Sequence, residues 1–245
     1  MLSPLATNVS AALGAAAMLG LAAGGFAYAS KWPGSRIFGE ALIAPRRAGE
    51  LALTFDDGPN PLWTPRLLDI LASHGVHATF FMLGSRAAAE PALVRRVIAE
   101  GHLVGNHSWN HLNLALTAAG RVRDELLQSK ETLEGISGQP VKFFRPPFGA
   151  RRPVVLRAAR EMGMTPVLWN AMTCDWKEPS AEKIAAWLEH KIDRLARRGY
   201  AANIVLHDGS HNDAAANRGP SVAAVERLIS GYKGTHRFVM LDAWT

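Results

Sequence analysis

The chain has 245 residues, of which 48% are hydrophobic and 20% are charged, and this composition excludes a disordered, collagenous or coiled-coil protein. Its 27 basic and 21 acidic residues give a net charge of +6, but the basic residues are spread along the chain. Since no phosphate-binding loop or RNA-binding motif accompanies this charge, we expect no nucleic-acid partner. The single cysteine, Cys174, excludes an intramolecular disulfide and a zinc-thiolate cluster, so a metal here needs histidine and carboxylate ligands.

The first 30 residues carry no charged side chain, and residues 9–29 are almost entirely apolar. About 20 such residues span the core of a bilayer. The sequence Ala-Tyr-Ala at 27–29 has the small-x-small pattern of a signal-peptidase site, although the basic segment of a secretory signal is missing. Residues 1–30 therefore predict a membrane anchor or a cleaved signal, with a helix packed on the domain as a third option. We expect a cell-envelope location, anchored or secreted, and the orientation stays open.

Residues 31–49 contain prolines and glycines that predict a linker, and a folded domain is predicted at 50–245. In that domain short apolar runs alternate with segments of helical periodicity. In chain order they predict a strand at 51–55, a helix at 64–74, a strand at 78–82, a helix at 91–100, a strand at 102–106, a helix at 118–134, a strand at 141–144, a helix at 153–162, a strand at 165–169, a helix at 181–198, a strand at 203–206, a helix at 221–231 and a strand at 237–241. About seven β/α units in alternation predict an α/β fold, with a mostly parallel sheet closed into a barrel and preceded by an apolar N-terminal helix.

The residues best suited to chemistry follow the predicted strands, where the active site of such a barrel lies. Asp56 and Asp57 follow the first strand, and His107 and His111 follow the third with a spacing that places two imidazoles on one side of a helical turn. Alone, each pattern also fits an Asp-Gly turn or a chance histidine pair. Together, Asp57, His107 and His111 offer two nitrogens and one carboxylate oxygen, a set suited to Zn²⁺ or a similar divalent ion.

Five motifs in order make the chain resemble the polysaccharide deacetylases of the nodulation-protein-B type, which form carbohydrate esterase family 4. The motifs are TFDDGP at 54–59, HSWNH at 107–111, RPPFG at 145–149, DW at 175–176 and IVLHD at 204–208. The resemblance covers about residues 50–241 and implies a distorted (β/α)7 barrel. It also implies a metal-dependent hydrolase that removes N-acetyl groups from an amino-sugar polymer or envelope glycan, such as a chitooligosaccharide or peptidoglycan.

The resemblance implies a role for each matched residue. The sets are the metal ligands Asp57, His107 and His111, the catalytic residues Asp56, Arg145, Asp175 and His207, and the substrate-binding residues Pro147, Phe148 and Trp176. Asp56 would be the general base, oriented by Arg145. His207 would be the general acid, oriented and polarised by Asp175. The cation would be Zn²⁺, with Co²⁺, Ni²⁺ or Fe²⁺ as alternatives.

Three residues complicate this interpretation. Met172 stands where the fourth motif of the family begins with Asp, so a carboxylate is lost and the substrate assignment is looser. We expect His211 to be a loop surface residue rather than a fourth ligand, and Cys174 to be a packing residue.

The alternative functions are a deacylase of an N-formyl lipid-linked sugar, an O-acetyl xylan or a cyclic imide, and an inactive glycan-binding protein. The expected partners are a glycan and, through residues 1–30, a membrane.

Overall fold

The computed structural model describes residues 4–245, with side chains from residue 17 onward. Its helices and strands are α1 (Pro4–Lys31), β1 (Glu50–Asp56), α2 (Trp63–His74), β2 (Thr79–Met82), α3 (Gly84–Ala89), α4 (Pro91–Ala99), β3 (Leu103–Asn106), α5 (Ala119–Ser137), β4 (Phe143–Phe144), α6 (Pro153–Glu161), β5 (Thr165–Pro166), β6 (Ala171–Met172), α7 (Ala181–Arg197), β7 (Ala202–His207), α8 (Gly219–Tyr232) and β8 (Arg237–Phe238). All strand pairs are parallel, in the order β5-β4-β3-β2-β1-β7-β6, with β8 beside the start of β1. Because β5 and β6 do not pair, the curled sheet is an open, distorted barrel, which confirms the predicted fold class.

The core lies between the sheet and the helices that cover it. Strand β1 is central, and all seven of its residues are buried, as expected for a parallel strand covered on both faces. Leu53 and Phe55 of β1 belong to the same apolar cluster as Leu68 of α2, Leu126 of α5 and Ile204 of β7. This packing holds the carboxyl ends of the central strands in place, so the polar residues that follow these strands are attached to a well-packed part of the fold.

The structure departs from the predicted elements in two places. Helix α5 passes through Gly135, where we expected it to end, and stops at Gly138, whose φ of 68° makes the left-handed turn that closes a helix. The strand predicted at 165–169 is cut short after Pro166. The chain beyond it bridges instead to Leu42, within the predicted linker 31–49, so part of that segment lies along the edge of the sheet.

The N-terminal helix α1 ends against the domain, where Ala29 and Ser30 are buried, whereas residues 17–28 are exposed. The prediction of an anchor or signal over residues 1–30 falls partly outside the described residues, since no side chain before residue 17 is described. Within the described part of the chain, no helix is both long and apolar enough to cross a membrane.

Candidate metal centre and active site

The predicted functional side chains meet at the carboxyl ends of the strands. Asp56 ends β1 and lies in register with His207, which ends β7. His107 follows β3, and Arg145 follows β4. Above them is a cavity of about 500 Å³, and its lining includes Asp56, His107 and His207. Residues that are far apart in the sequence are therefore brought together by the parallel sheet, as the position of barrel active sites predicts.

Asp57, His107 and His111 form a buried cluster. The Asp57 Oδ1 atom lies 3.5 Å from His107 Nε2 and 3.2 Å from His111 Nε2. One ligand atom from each residue can be chosen so that all lie within 4.8 Å of one another. Asp57 Oδ1 is buried and has no hydrogen-bond partner among the described residues. A buried oxygen without a partner costs about 1–3 kcal/mol, so its position between two imidazole nitrogens fits a cation site.

The protonation states of this cluster also suit a cation, because metal ligands must be deprotonated. Burial opposes the ionisation of Asp57, but the imidazoles of His107 and His211 outweigh it and hold the pKa of that carboxyl well below its usual range. Burial, together with the charge of His107, lowers the pKa of His111 to about 3 and keeps that ring neutral. The Nδ1 atom of His107 lies 2.8 Å from the Arg145 carbonyl oxygen; this contact assigns the proton to Nδ1 and leaves Nε2 free to act as a ligand.

The backbone around the cluster is strained. Four non-glycine residues of the described chain have positive φ values, and all of them belong to the motifs at this site: Asp57 (71°), Ser108 (70°), His111 (59°) and Phe148 (58°). Side chains with a Cβ rarely adopt this conformation, and such strain concentrates at functional sites. Three of these residues, Asp57, His111 and Phe148, line the cavity, so the surrounding structure compensates for strained conformations at the site itself.

The turn that carries the two histidines is held by Glu125 of α5, whose side chain is fully buried. Its carboxylate accepts hydrogen bonds from the backbone N–H groups of Trp109 and Asn110, at 3.1 and 2.7 Å. Arg121 donates to the other carboxylate oxygen at 2.7 Å. Glu125 was not predicted from the sequence, because an acidic residue in an amphipathic helix has no distinguishing local pattern.

The proposed base, Asp56, is held by a buried arginine. Arg145 Nη1 donates to Asp56 Oδ1 at 2.7 Å and to Thr54 Oγ1 at 2.8 Å. The guanidinium is fully buried and lies over the Phe81 ring, 4.1 Å from its centroid. Asp56 Oδ2 is 3.9 Å from His107 Nε2, so the second oxygen faces the cluster of Asp57, His107 and His111. The ion-pair partner of Arg145 is therefore Asp56.

The proposed acid, His207, is held by Asp175. The Nδ1 atom of His207 lies 2.9 Å from Asp175 Oδ1, and the backbone N–H of His207 donates to Asp175 Oδ2, also at 2.9 Å. Ser221 Oγ donates to the same Oδ2 atom at 2.7 Å. Burial lowers the pKa of His207, but the charge and hydrogen bond of Asp175, with smaller contributions from other carboxylates, outweigh it and raise the pKa to about 9.

Aromatic side chains form the rim of the cavity. Phe148 and Trp176 line it and are 48% and 40% exposed, and the Trp176 ring packs edge-on against His207. Pro147, predicted with them, is buried and is not part of the lining. Met172 lines the cavity, so the carboxylate lost from the fourth motif is absent from the wall itself. Trp169, which the sequence analysis did not single out, is also part of the wall.

The expectation that His211 is a surface residue was wrong. Its side chain is only 26% exposed, lines the cavity and reaches Asp57, with Nδ1 at 3.3 Å from Oδ2. The position of His211 four residues beyond His207, after the end of a central strand, was the available signal. It was discounted because a loop sequence does not show whether the loop folds over the site or away from it.

An open parallel barrel whose carboxyl end gathers two histidines and one aspartate that could hold a metal ion, beside a held carboxylate and a held imidazole, has the arrangement of a metal-dependent hydrolase. Comparisons with known proteins define the family. The sequence profile described as polysaccharide deacetylase matches residues 44–167. A peptidoglycan-N-acetylglucosamine deacetylase of Bacillus cereus is 35% identical over 204 residues, covering 83% of this chain and 70% of the relative. A chitooligosaccharide deacetylase of Sinorhizobium fredii is 36% identical, covering 74% of this chain and 85% of the relative.

Among solved structures, a peptidoglycan N-acetylglucosamine deacetylase in complex with 4-naphthalen-1-yl-N-oxidanyl-benzamide matches with a TM-score of 0.74 and 35% identity. The match covers 83% of this chain and 91% of that one. The chain belongs to the polysaccharide deacetylase family. This confirms the resemblance inferred from the five motifs and the prediction of a hydrolase that acts on carbon–nitrogen bonds other than peptide bonds.

Proposed function

We propose that the chain removes N-acetyl groups from the amino-sugar units of an envelope polymer of the peptidoglycan or chitooligosaccharide type. The observation that carries the proposal is that two held side chains suited to proton transfer, Asp56 and His207, line the same cavity as one buried cluster of potential metal ligands. The aromatic rim formed by Phe148 and Trp176 suits the apolar faces of sugar rings. The names of the relatives support an N-acetylated amino sugar as the substrate class.

Asp57, His107 and His111 would hold a divalent cation, for which we propose Zn²⁺. The fit rests on the mixed nitrogen and oxygen donor set and on the buried, unpartnered Oδ1 of Asp57. Such a cation, when bound, lowers the pKa of water and polarises the acyl oxygen. The chain supplies three ligands and so leaves room for solvent and substrate, as in catalytic rather than structural zinc sites.

Asp56 would accept the proton of the attacking water. Its Oδ1 atom is engaged by Arg145, so the second oxygen, Oδ2, is the one available to the water. Arg145 acts through Asp56 as a positioning residue, since it is fully buried and does not line the cavity. The backbone N–H near Phe148 would stabilise the oxygen that becomes negative in the tetrahedral state.

His207 would then donate a proton to the departing amine, which otherwise leaves poorly. Asp175 accepts from Nδ1, so Nε2 is the nitrogen available to donate. The raised pKa of His207, about 9, keeps the ring protonated at neutral pH, as an acid requires. Asp175 is buried and acts through His207 as a positioning residue.

The deciding experiment is a product assay of the zinc-loaded protein on chitooligosaccharides, peptidoglycan and acetylated xylan, comparing Asp56→Asn with wild type. We expect acetate from an amino-sugar substrate and a loss of turnover of about 10²–10⁴-fold in Asp56→Asn, with zinc still bound. Asp69→Asn, at an exposed surface ion pair, is the matched control and should keep full activity. Unchanged turnover in Asp56→Asn would eliminate it as the base.

The same assay separates the alternatives. Release of acetate from xylan alone would show that the activity is O-deacetylation. This alternative stays open because Met172, in the cavity wall, replaces the carboxylate of the fourth motif. Release of formate from an N-formylated sugar would assign a different acyl group. Glycan binding without any product would assign an inactive glycan-binding protein.

We also propose that residues 1–30 hold the enzyme at the cell envelope. The support is the absence of charge in this segment and the exposure of the apolar side chains of residues 17–28. Fractionation of cells that produce the full chain, compared with a chain lacking residues 1–30, tests this. We expect the full chain with membranes and the shortened chain outside that fraction; equal distribution of the two would contradict the proposal.

A further inference from the structure

His211 contacts two of the proposed metal ligands from one side. Its Nδ1 atom lies 3.3 Å from Asp57 Oδ2. Its ring stacks on that of His111, with centroids 3.9 Å apart and planes 19° from parallel. Phe148 makes T-shaped contacts with both rings, and its centroid lies 4.5 Å from that of His111 and 5.4 Å from that of His211. These contacts place His211 beside the cluster. His211 itself lies outside the five motifs that indicated the family.

The loop that carries His211 is fastened on both sides. Arg86 donates to the carbonyl oxygen of the residue before His211 at 2.9 Å, and Arg218 donates to the Gly209 carbonyl oxygen at 2.6 Å. Gly209 packs so closely that a Cβ there would lie 2.2 Å from the Asp57 carbonyl oxygen. Only glycine allows this approach. The loop is therefore seated directly on the backbone of Asp57, and the position of His211 follows from that seating.

We propose that His211 is a positioning residue of the metal centre, which donates its Nδ1–H to Asp57 Oδ2 and thereby turns Oδ1 toward the other ligands. Oδ1 is the oxygen near the Nε2 atoms of His107 and His111, and it has no hydrogen-bond partner of its own. A carboxylate with one oxygen held has fewer orientations to lose when it binds a cation. Loss of such a partner typically weakens metal binding by about 10–100-fold. The inference rests on the proposed function in taking these residues as ligands.

The test is the zinc dissociation constant of the full chain, measured by competition with a chromogenic chelator. We expect His211→Ala to raise the constant by about 10–100-fold. His211→Asn should recover most of the affinity, since the Asn amide can donate from nearly the same place as Nδ1. The visible spectrum of the Co²⁺-loaded protein should change in His211→Ala and return toward that of wild type in His211→Asn. His190→Ala, which removes an exposed imidazole on α7, is the control and should change neither readout.

The outcomes separate this inference from the proposed function. If wild type binds zinc and His211→Ala binds it equally well, the positioning role is wrong and the proposed ligands stand. If wild type binds no divalent cation, the proposed cation site fails, and this inference fails with it. Thermal unfolding without metal shows whether each variant is folded, so that lost affinity is measured only on folded protein.

Discussion

Asp56 and His207, the proposed base and acid, are each held at one side-chain atom and left available at the other. Arg145 engages Asp56 Oδ1, and Asp175 engages His207 Nδ1. Both holding residues are buried, where a charged hydrogen bond is stronger than in water. The orientation of the proposed base and of the proposed acid is therefore fixed before substrate arrives, as efficient proton transfer requires.

At this scale we predict a change in pH dependence for Asp175→Asn. The raised pKa of His207 means that its acid form is present below about pH 9 and is lost as the pH rises through that value, so wild-type kcat should fall there. A cation at Asp57 would cancel the contribution of that residue, but Asp175 is the largest factor that raises the pKa. Removing its charge leaves burial, which lowers the pKa, so the alkaline limb should move down by roughly two pH units or more.

The measurement is a kcat–pH profile of wild type, Asp175→Asn and Ser221→Ala. Ser221 donates to Asp175 but leaves its charge in place, so that variant should shift the limb much less. An alkaline limb in the same place for Asp175→Asn and wild type would show that His207 is not the group that sets it. The same linkage applies to stability: the share contributed by protonated His207 is present below its unfolded pKa of about 6.5 and is lost toward pH 9.

At the scale of elements, helix α5 orders the turn after β3 that carries the two proposed ligands His107 and His111. The positive φ values of Ser108 and His111 are unfavourable in an isolated chain, and Glu125 offsets them by accepting two backbone hydrogen bonds from the same turn. The helix thus does more than cover the sheet, because its carboxylate keeps the two imidazoles at the spacing that the cluster requires.

We predict that Glu125→Ala weakens both the fold and metal binding. Hydrogen bonds to a charged group contribute about 1.5–3 kcal/mol each, and partial hydration of the freed N–H groups leaves an expected loss of about 2–3 kcal/mol in the free energy of unfolding. Chemical denaturation measures the first effect, and zinc competition should show about a tenfold weaker affinity. Arg121→Ala is the matched control. Its side chain is 50% exposed, so the loss in the free energy of unfolding should stay below about 1 kcal/mol. An equal loss in both variants would contradict the role of the Glu125 carboxylate in holding the turn.

At the scale of the molecule, Arg151 joins the N-terminal helix to the active-site side of the barrel. Its guanidinium donates to the carbonyl oxygens of Ser30, Trp32 and Ser35, at 2.9, 2.8 and 2.9 Å, and to that of Gly149 at 3.2 Å. These carbonyls belong to the end of α1, the chain just after it and the loop of the third motif. One buried side chain therefore sets the position of α1 relative to the rim of the cavity.

We predict that Arg151→Met loosens this junction without unfolding the barrel. Several carbonyls would lose a charged donor, and an unsatisfied buried acceptor costs about 1–3 kcal/mol. Hydrogen–deuterium exchange should rise in residues 28–36 and 147–150 and stay low in β1 and β7. Arg157→Met, on the exposed face of α6, should leave the exchange pattern unchanged. Unchanged exchange at both segments in Arg151→Met would contradict the role of this residue as the junction.

Local patterns in the chain were enough to predict the alternation of strands and helices, the family, and the cluster of Asp57, His107 and His111 as a possible metal site. Periodicity and short motifs can be recognised over a few residues. Contacts over long separations were decided only by folding. Asp57 and His211 are 154 residues apart, and their approach depends on how one loop packs on one strand end. The roles of Glu125 and Arg151 have the same origin. The hydrogen-bond partners of these two buried charges are distant from them in the sequence, and they come close only in the folded chain.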